Sequence, residues 1–376
     1  MNTKKSKAVS KIVNVLSIIF FLYIFLVSIN LMSHAFGGFG RGFAETLITT
    51  TANPFVGLFI GILATSIIQS SSTTTSMVVA FVASGTLTIT GAIPIIMGAN
   101  IGTTVTNTLV ALGHITRKEE FKRAMSGSTL HDFFNMLTVI ILFPIEMSTH
   151  YLEKAGTVLA TIFSDMGGMK FTSPIKFVVK PAVNFIHNIF ETYLGLSGTF
   201  LSIILLVVAL VILFIALYNI TCVMKTLVLK KADMVFSRVI GSNAILAMFM
   251  GMMFTAIVQS SSITTSILVP LVAAGILEIE QSFPIVLGAN VGTTVTAILA
   301  SLTGNIAGIT VAFVHLAFNI TGIIIIYPIR ALRKVPLKVA RFVSEKCSER
   351  KVFAFIYVLS IFYLLPISVI LIARYF

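Results

Sequence analysis

Apolar residues in this chain come in long runs, with polar residues gathered between them or, at two places, set inside them. Seven runs reach the roughly 20 residues that an α-helix needs to cross a bilayer. They cover 12–34, 91–112, 127–147, 198–220, 282–302, 308–328 and 353–373. Two further apolar stretches are divided in the middle. Arms at 54–68 and 73–84 flank Gln69, Ser70, Ser71 and Ser72, and the stretch 243–275 is divided in the same way by Gln259, Ser260, Ser261 and Ser262. The second arm is too short to cross comfortably, and no Lys, Arg, Asp or Glu marks either turn as a surface loop. The pattern predicts re-entrant hairpins that dip to mid-depth and return. The expected fold is all-α and polytopic, with seven full spans plus two hairpins.

The two divided stretches are copies of one unit. Residues 61–110 align without gaps to 251–300 with 27 identical positions in 50. Gly98-Ala-Asn-Ile-Gly-Thr-Thr returns as Gly288-Ala-Asn-Val-Gly-Thr-Thr at the same displacement. Glycines beside threonines inside a span predict a helix broken at 98–104 and again at 288–294, which frees backbone carbonyls. The chain therefore reads as an N-terminal half, 1–147, and a C-terminal half, 197–376. The linker between them, 148–196, carries lysines among apolar residues and suits a helix lying on the membrane surface.

Charge fixes the orientation. The hydrophobic fraction is 57%, the charged fraction 10% and the mean hydropathy +1.03, against roughly 25% charged residues in soluble domains. Lysine and arginine outnumber aspartate and glutamate 26 to 13. The basic residues sit in short clusters between spans, the pattern of cytoplasmic loops and not of a nucleic-acid surface. With the N-terminus in the cytoplasm, 20 of the 26 fall on the cytoplasmic side, among them Lys4, Lys5, Lys7, Lys11, Arg117, Lys118, Lys122, Arg123, Lys225, Lys230, Lys231, Arg238 and the cluster at 330–351. Arg41, four linker lysines and Arg374 fall outside. The first hairpin then enters from outside and the second from inside, so the copies are inverted, as in many secondary transporters. No clean A-x-A site follows the first run, which reads as an uncleaved span. Cys222 and Cys347 lie near the basic clusters and read as free thiols.

After each serine triplet a helical arm begins. Its first N–H groups are unpaired and its dipole end is positive, which suits an oxyanion. Gln69, Ser70, Ser71 and Ser72, with Gln259, Ser260, Ser261 and Ser262, are the candidate anion-binding residues. No lysine or arginine lies in the spans to neutralise the ligand, so a co-bound cation is the economical counter-charge. Gln69, Thr74, Thr75, Asn100, Thr103 and Thr104, with Gln259, Thr264, Thr265, Asn290, Thr293 and Thr294, offer neutral oxygens that suit Na+. The residues alone read as cation-coupled transport of a small anion.

Gln-Ser-Ser-Ser paired with Gly-Ala-Asn-x-Gly-Thr-Thr, twice, resembles the type II sodium–phosphate cotransporter family in its bacterial form. The likeness covers about 55–110 and 245–300 and implies Na+-driven uptake of inorganic phosphate by alternating access. It implies phosphate held near the two serine triplets and Na+ held by the Gln, Ser, Thr and Asn residues of both motifs. It also implies residence in the bacterial cytoplasmic membrane and no resident cofactor beyond the co-transported ion. The cysteines and long glycosylated loop that animal members carry in the linker are missing, so regulation tied to them is not implied.

Other readings stay open. A channel and a carrier of another small anion share the same composition, whereas no metal-ligand helix, nucleophile elbow or NTPase phosphate loop indicates an enzyme. His131 and Asn135, and His315 and Asn319, are four apart on a shared helix face; they read as structural hydrogen-bonding pairs, with a shell behind the broken helices or a proton-sensitive site as the alternatives. Asp132 has Leu316 as its counterpart and lies at a cation site or at the interface. The glycines of the motif also suit close helix packing. The oligomeric state is not legible.

Overall fold

The computed structural model describes residues 2–166, 174–239 and 243–375, and every regular element among them is helical. Helix α1 is Asn2–Gly38, α2 Arg41–Thr51, α3 Pro54–Ile68, α4 Ser71–Ala83, α5 Ile89–Gly102, α6 Val105–Leu112 and α7 Lys118–Thr149. The linker forms α8, Tyr151–Met166, and α9, Pro174–Asn188. The second half holds α10, Gly198–Val239, α11, Ala244–Val258, α12, Ser261–Ala273, α13, Ile279–Ser301, and α14, Ile306–Ile326. The chain closes with α15, Arg330–Glu349, α16, Val352–Leu359, and α17, Leu365–Tyr375. Among the described residues seven segments are long and apolar enough to cross a membrane, and they coincide in order with the seven expected runs. Lys170 lies outside the described residues, as do the side chains of Lys4, Lys5, Lys7, Lys11, Lys176, Lys225, Lys230, Lys231, Arg238 and Arg374.

The hairpins form for local reasons that are the same in both copies. Asn53 caps α3 by accepting from the Phe55 N–H at 3.0 Å, and Pro54 fits the first helical position, where no N–H is needed. Asn243 caps α11 from the same position, accepting from Ile245. Each first arm ends on a glutamine in the left-handed region, Gln69 at φ 61° and Gln259 at φ 59°. A non-glycine residue there carries strain, and the side chain offsets it. The Gln69 amide donates back to the Ser66 carbonyl while its oxygen accepts from Thr106 at 3.0 Å, and Gln259 does the same with Ala256 and Thr296. Next, Ser70 and Ser260 adopt extended backbone and cap α4 and α12.

The glycines bring helices into contact, and this corrects one expectation. A methyl group on Gly98 would overlap the Leu58 carbonyl oxygen across α3 and α5, and one on Gly288 would overlap that of Met248 across α11 and α13. The first copy does break, between α5 and α6 at Thr103 and Thr104. The second does not: α13 runs continuously through 288–294. Thr294 bonds to Val291 within its own helix, whereas Thr104 turns its hydroxyl to His131 Nδ1 at 2.9 Å. The basic stretch at 330–351, expected as a loop, is mostly the amphipathic helix α15, and α10 carries the 225–238 cluster as helix.

Helix α7, about 48 Å long at 1.5 Å per residue, serves as a ruler. Near its start, Arg123 Nε donates to the Ala273 carbonyl at the end of α12, 2.7 Å away. Near its end, Phe143 meets Phe55 at the start of α3, with ring centroids 5.0 Å apart. The two hairpins therefore open toward opposite ends of α7. Each is tied to the other half at its mouth, since Asn305 donates to the Ala83 carbonyl at 3.0 Å as Arg123 does to that of Ala273.

Candidate functional site

At each hairpin tip the capping serine spends its oxygen on its own helix. Ser70 Oγ accepts from the Thr73 N–H at 3.2 Å, and Ser260 Oγ from Ile263 at 3.4 Å. The N–H groups of Ser71 and Ser72, and of Ser261 and Ser262, precede the first intrahelical bonds and are left for a ligand. The hydroxyls of the same residues stand beside them. Ser71, Ser72 and Ser261 are buried, while Gln69, Ser70, Gln259, Ser260 and Ser262 are half-buried. Such a helix start, ringed by hydroxyls, binds an oxyanion through fixed dipoles and needs no side-chain cation.

Behind each tip the arms are pinned by a threonine pair. Thr65 donates to Thr74 at 3.0 Å, and Thr255 pairs with Thr264 at 2.6 Å. Thr75 donates back to the Ser71 carbonyl at 2.8 Å, and Thr265 shares its one proton between the Ser261 carbonyl and Asn107 Oδ1. Thr103 and Thr293 donate to the carbonyls four residues earlier. A hydroxyl that has given its proton to a carbonyl keeps lone pairs free, the state a cation ligand requires.

The two copies meet through residues 106 and 107. Thr106 holds the tip glutamine Gln69, and its neighbour Asn107 accepts from Thr265 at 2.9 Å and from Ser266 at 3.1 Å. Thr265 lies one turn beyond Ser261. A single step along α6 thus links the first tip to the helix that begins at the second. Asn107 has Ala297 as its counterpart in the second copy, and its Nδ2, fully buried, has no partner. The sequence reading passed over it, although it is one of the few polar departures between otherwise matching motifs.

A second lattice ties the spans. Asn135 Nδ2 donates to the Asn100 carbonyl and Asn319 Nδ2 to the Asn290 carbonyl, at 3.3 and 3.2 Å. His315 Nε2 meets Asn100 Oδ1 at 3.1 Å, and Asn290 donates to Asn135 Oδ1 at 2.9 Å. Asn100 and Asn290, expected as cation ligands, are joined here to the other half. The structural reading of the two histidine–asparagine pairs fits these bonds. Asp132 is fully buried: Oδ2 accepts from Tyr357 at 2.7 Å and Oδ1 is unpartnered. Glu146, His150 and Glu153 also cluster, but both Glu146 oxygens accept N–H groups that open α8, from Leu152 and Glu153.

Residues 24–172 and 212–341 match the Na+/Pi-cotransporter family. "Sodium-dependent phosphate transport protein 2B" of Pongo abelii and of Homo sapiens are each 32% identical over 93% of the chain and 64% of their own length. Protein 2A of Rattus norvegicus is 32% identical over 97% of the chain and 68% of its own length. The chain thus spans about two thirds of the length of these relatives. No solved structure matches it.

Proposed function

Because the chain belongs to the Na+/Pi-cotransporter family, a family of transporters and not enzymes, we propose that it is a sodium-coupled symporter that imports inorganic phosphate by alternating access. The observation that carries this reading is the pair of capped helix starts, opening toward opposite ends of α7 and linked through Thr106 and Asn107. Phosphate is held by the N–H and hydroxyl groups of Ser71, Ser72, Ser261 and Ser262. Gln69, Ser70, Gln259 and Ser260 shape the tips around it.

The hairpins, α5–α6 and α13 contain no lysine or arginine, so sodium offsets the anion's charge. Thr74, Thr75, Thr103, Thr104 and Asn100, with Thr264, Thr265, Thr293, Thr294 and Asn290, supply neutral oxygens, joined by those of Gln69 and Gln259. Asp132 adds a buried carboxylate beside this network, with Oδ1 free to face the ion. An anion site built from neutral dipoles stays weak until sodium arrives, which couples the two loads.

The halves 1–147 and 197–376 form inverted repeats in a bacterial cytoplasmic membrane, with the N-terminus inside and the linker outside. Exchange of access breaks the mouth tethers alternately, Asn305 on Ala83 and Arg123 on Ala273. The test is radiolabelled phosphate uptake into proteoliposomes. An inward sodium gradient is expected to drive accumulation above equilibrium, a sodium ionophore to abolish it, and arsenate but not sulfate to compete. Accumulation unaffected by the sodium gradient contradicts the reading.

A further inference from the structure

Helix α15 carries three stripes. Pro336, Leu337, Ala340, Ser344, Cys347 and Ser348 are buried, and the helix packs along α7. Arg330, Lys334, Lys338 and Arg341 follow one another at i, i+4, i+8 and i+11, which places them on one side of the helix. Ala331, Val335, Val339 and Phe342 repeat the same spacing one residue later and form the adjoining stripe. Arg330, Lys334, Lys338 and Arg341 are exposed. Phe342 is 62% and Val335 38% exposed, as is Ile329 just before the helix at 49%.

A soluble surface helix buries its apolar stripe and surrounds it with charge. Here one apolar stripe faces the protein and a second faces away, edged on one side by cations. That is the profile of a helix lying in a lipid interface. The cations are available. Among the described residues Arg330, Lys334 and Lys338 enter no ion pair, whereas Arg341 pairs with Glu280 and Lys346 with Glu349. Tyr327, whose ring carries Arg333 at 5.0 Å, stands where the span α14 gives way to this helix. By the positive-inside reading this end is cytoplasmic, the side of the anionic leaflet.

We propose that α15 is a docking site for anionic phospholipid, with Arg330, Lys334 and Lys338 on the phosphate headgroups and Val335 and Phe342 at the acyl boundary. The site rests on the membrane orientation given above and is separate from the transport path. It is nevertheless connected to it. Arg341, on the basic stripe, holds Glu280 at the start of α13, and Glu345 holds Lys122 of α7 at 3.2 Å, beside the mouth of the second hairpin. Anionic headgroups on this stripe therefore steady the tethered mouth.

The chain contains no tryptophan, so Phe342→Trp introduces a single reporter. The full-length protein is placed in bilayers of phosphatidylcholine with a minority of phosphatidylglycerol, with bromine on the acyl chains of one lipid at a time. The emission is expected at the short wavelength of an apolar setting. Quenching per brominated phosphatidylglycerol is expected to exceed that per phosphatidylcholine severalfold. The Arg330→Gln, Lys334→Gln, Lys338→Gln variant, checked by size exclusion for intact folding, is expected to lose the preference, so that the two lipids quench equally. Equal quenching by both lipids with the three cations in place, or the emission of a water-exposed indole, overturns the proposal. Because fluorescence reads the lipid directly, a transporter that fails the uptake test but keeps the preference leaves this site standing.

Discussion

Replacing Ser71 or Ser261 with leucine is expected to reduce sodium-driven phosphate uptake to background while leaving the protein in the membrane. Both serines occupy the first helical position of a hairpin arm, and both are buried, at 4% and 3% exposure. Leucine removes a hydroxyl and fills the space in front of the free N–H groups with a branched apolar side chain. A hydrogen bond to a charged group contributes about 1.5–3 kcal/mol, so the lost bond alone costs roughly ten- to a hundredfold. Exclusion of the anion from the N–H groups adds to that. The helix itself survives, because its cap belongs to the preceding serine, Ser70 or Ser260. Ser70→Ala makes the contrast: it removes a cap, costs about 1 kcal/mol of stability, and lowers the folded yield as well as the rate. Uptake and membrane-fraction yield, measured together, check the pair. Normal uptake by Ser71→Leu or Ser261→Leu removes the tips from the anion site.

Gly288→Val is expected to prevent folding. The backbones of α11 and α13 approach so closely that a Cβ at 288 would coincide with the Met248 carbonyl oxygen, and backbone cannot swing aside as a side chain can. The two helices would have to part along their length, opening the cluster of Phe254, Val258, Ile285 and Val286. Overpacking in a closed core costs about 1–3 kcal/mol even where side chains yield, and the loss here is larger. Gly98→Val repeats the clash against Leu58 in the first copy. Gly37→Ala is the control: nothing lies within 4 Å of the added methyl, and alanine is the better helix former by about 1 kcal/mol. Fluorescence-detected size exclusion is expected to show aggregate for the first two and an unchanged peak for the third. A monodisperse Gly288→Val protein contradicts the close-packed pair.

How far the sequence could be read follows from what each signal depends on. Run length depends only on bilayer thickness, and it placed all seven spans. The copied Asn53 to Ser70 and Asn243 to Ser260 segments carry their own caps and turn residues, which set the helix breaks at Gln69 and Gln259 that the polar runs mark in the sequence. The glycines were ambiguous, since a missing Cβ serves an unwound turn and a close helix contact equally. Only the facing carbonyls of Leu58 and Met248 decide between them. The same Gly-Thr-Thr breaks in the first copy, where Thr104 bonds His131 27 residues away, and not in the second, where Thr294 bonds Val291 in its own helix. Spacing placed His131 and Asn135 on one face but could not name Asn290 as the group they meet. Basic character hid α15, where charge suggested a loop and the repeated four-residue spacing shows a helix. Asn107 stands where the second copy has Ala297, so the pattern common to both copies does not include it.

The most direct test of the central claim, that both tips close on one oxyanion, is protection of a thiol placed at each. Cys222 is replaced by serine. Cys347, the second of the two cysteines in the sequence, is replaced by alanine. In that background Ser71→Cys and Ser261→Cys are alkylated with and without substrate. Phosphate together with sodium is expected to slow alkylation at both positions, and phosphate without sodium to protect far less. Protection of one position with the other unaffected contradicts a shared site.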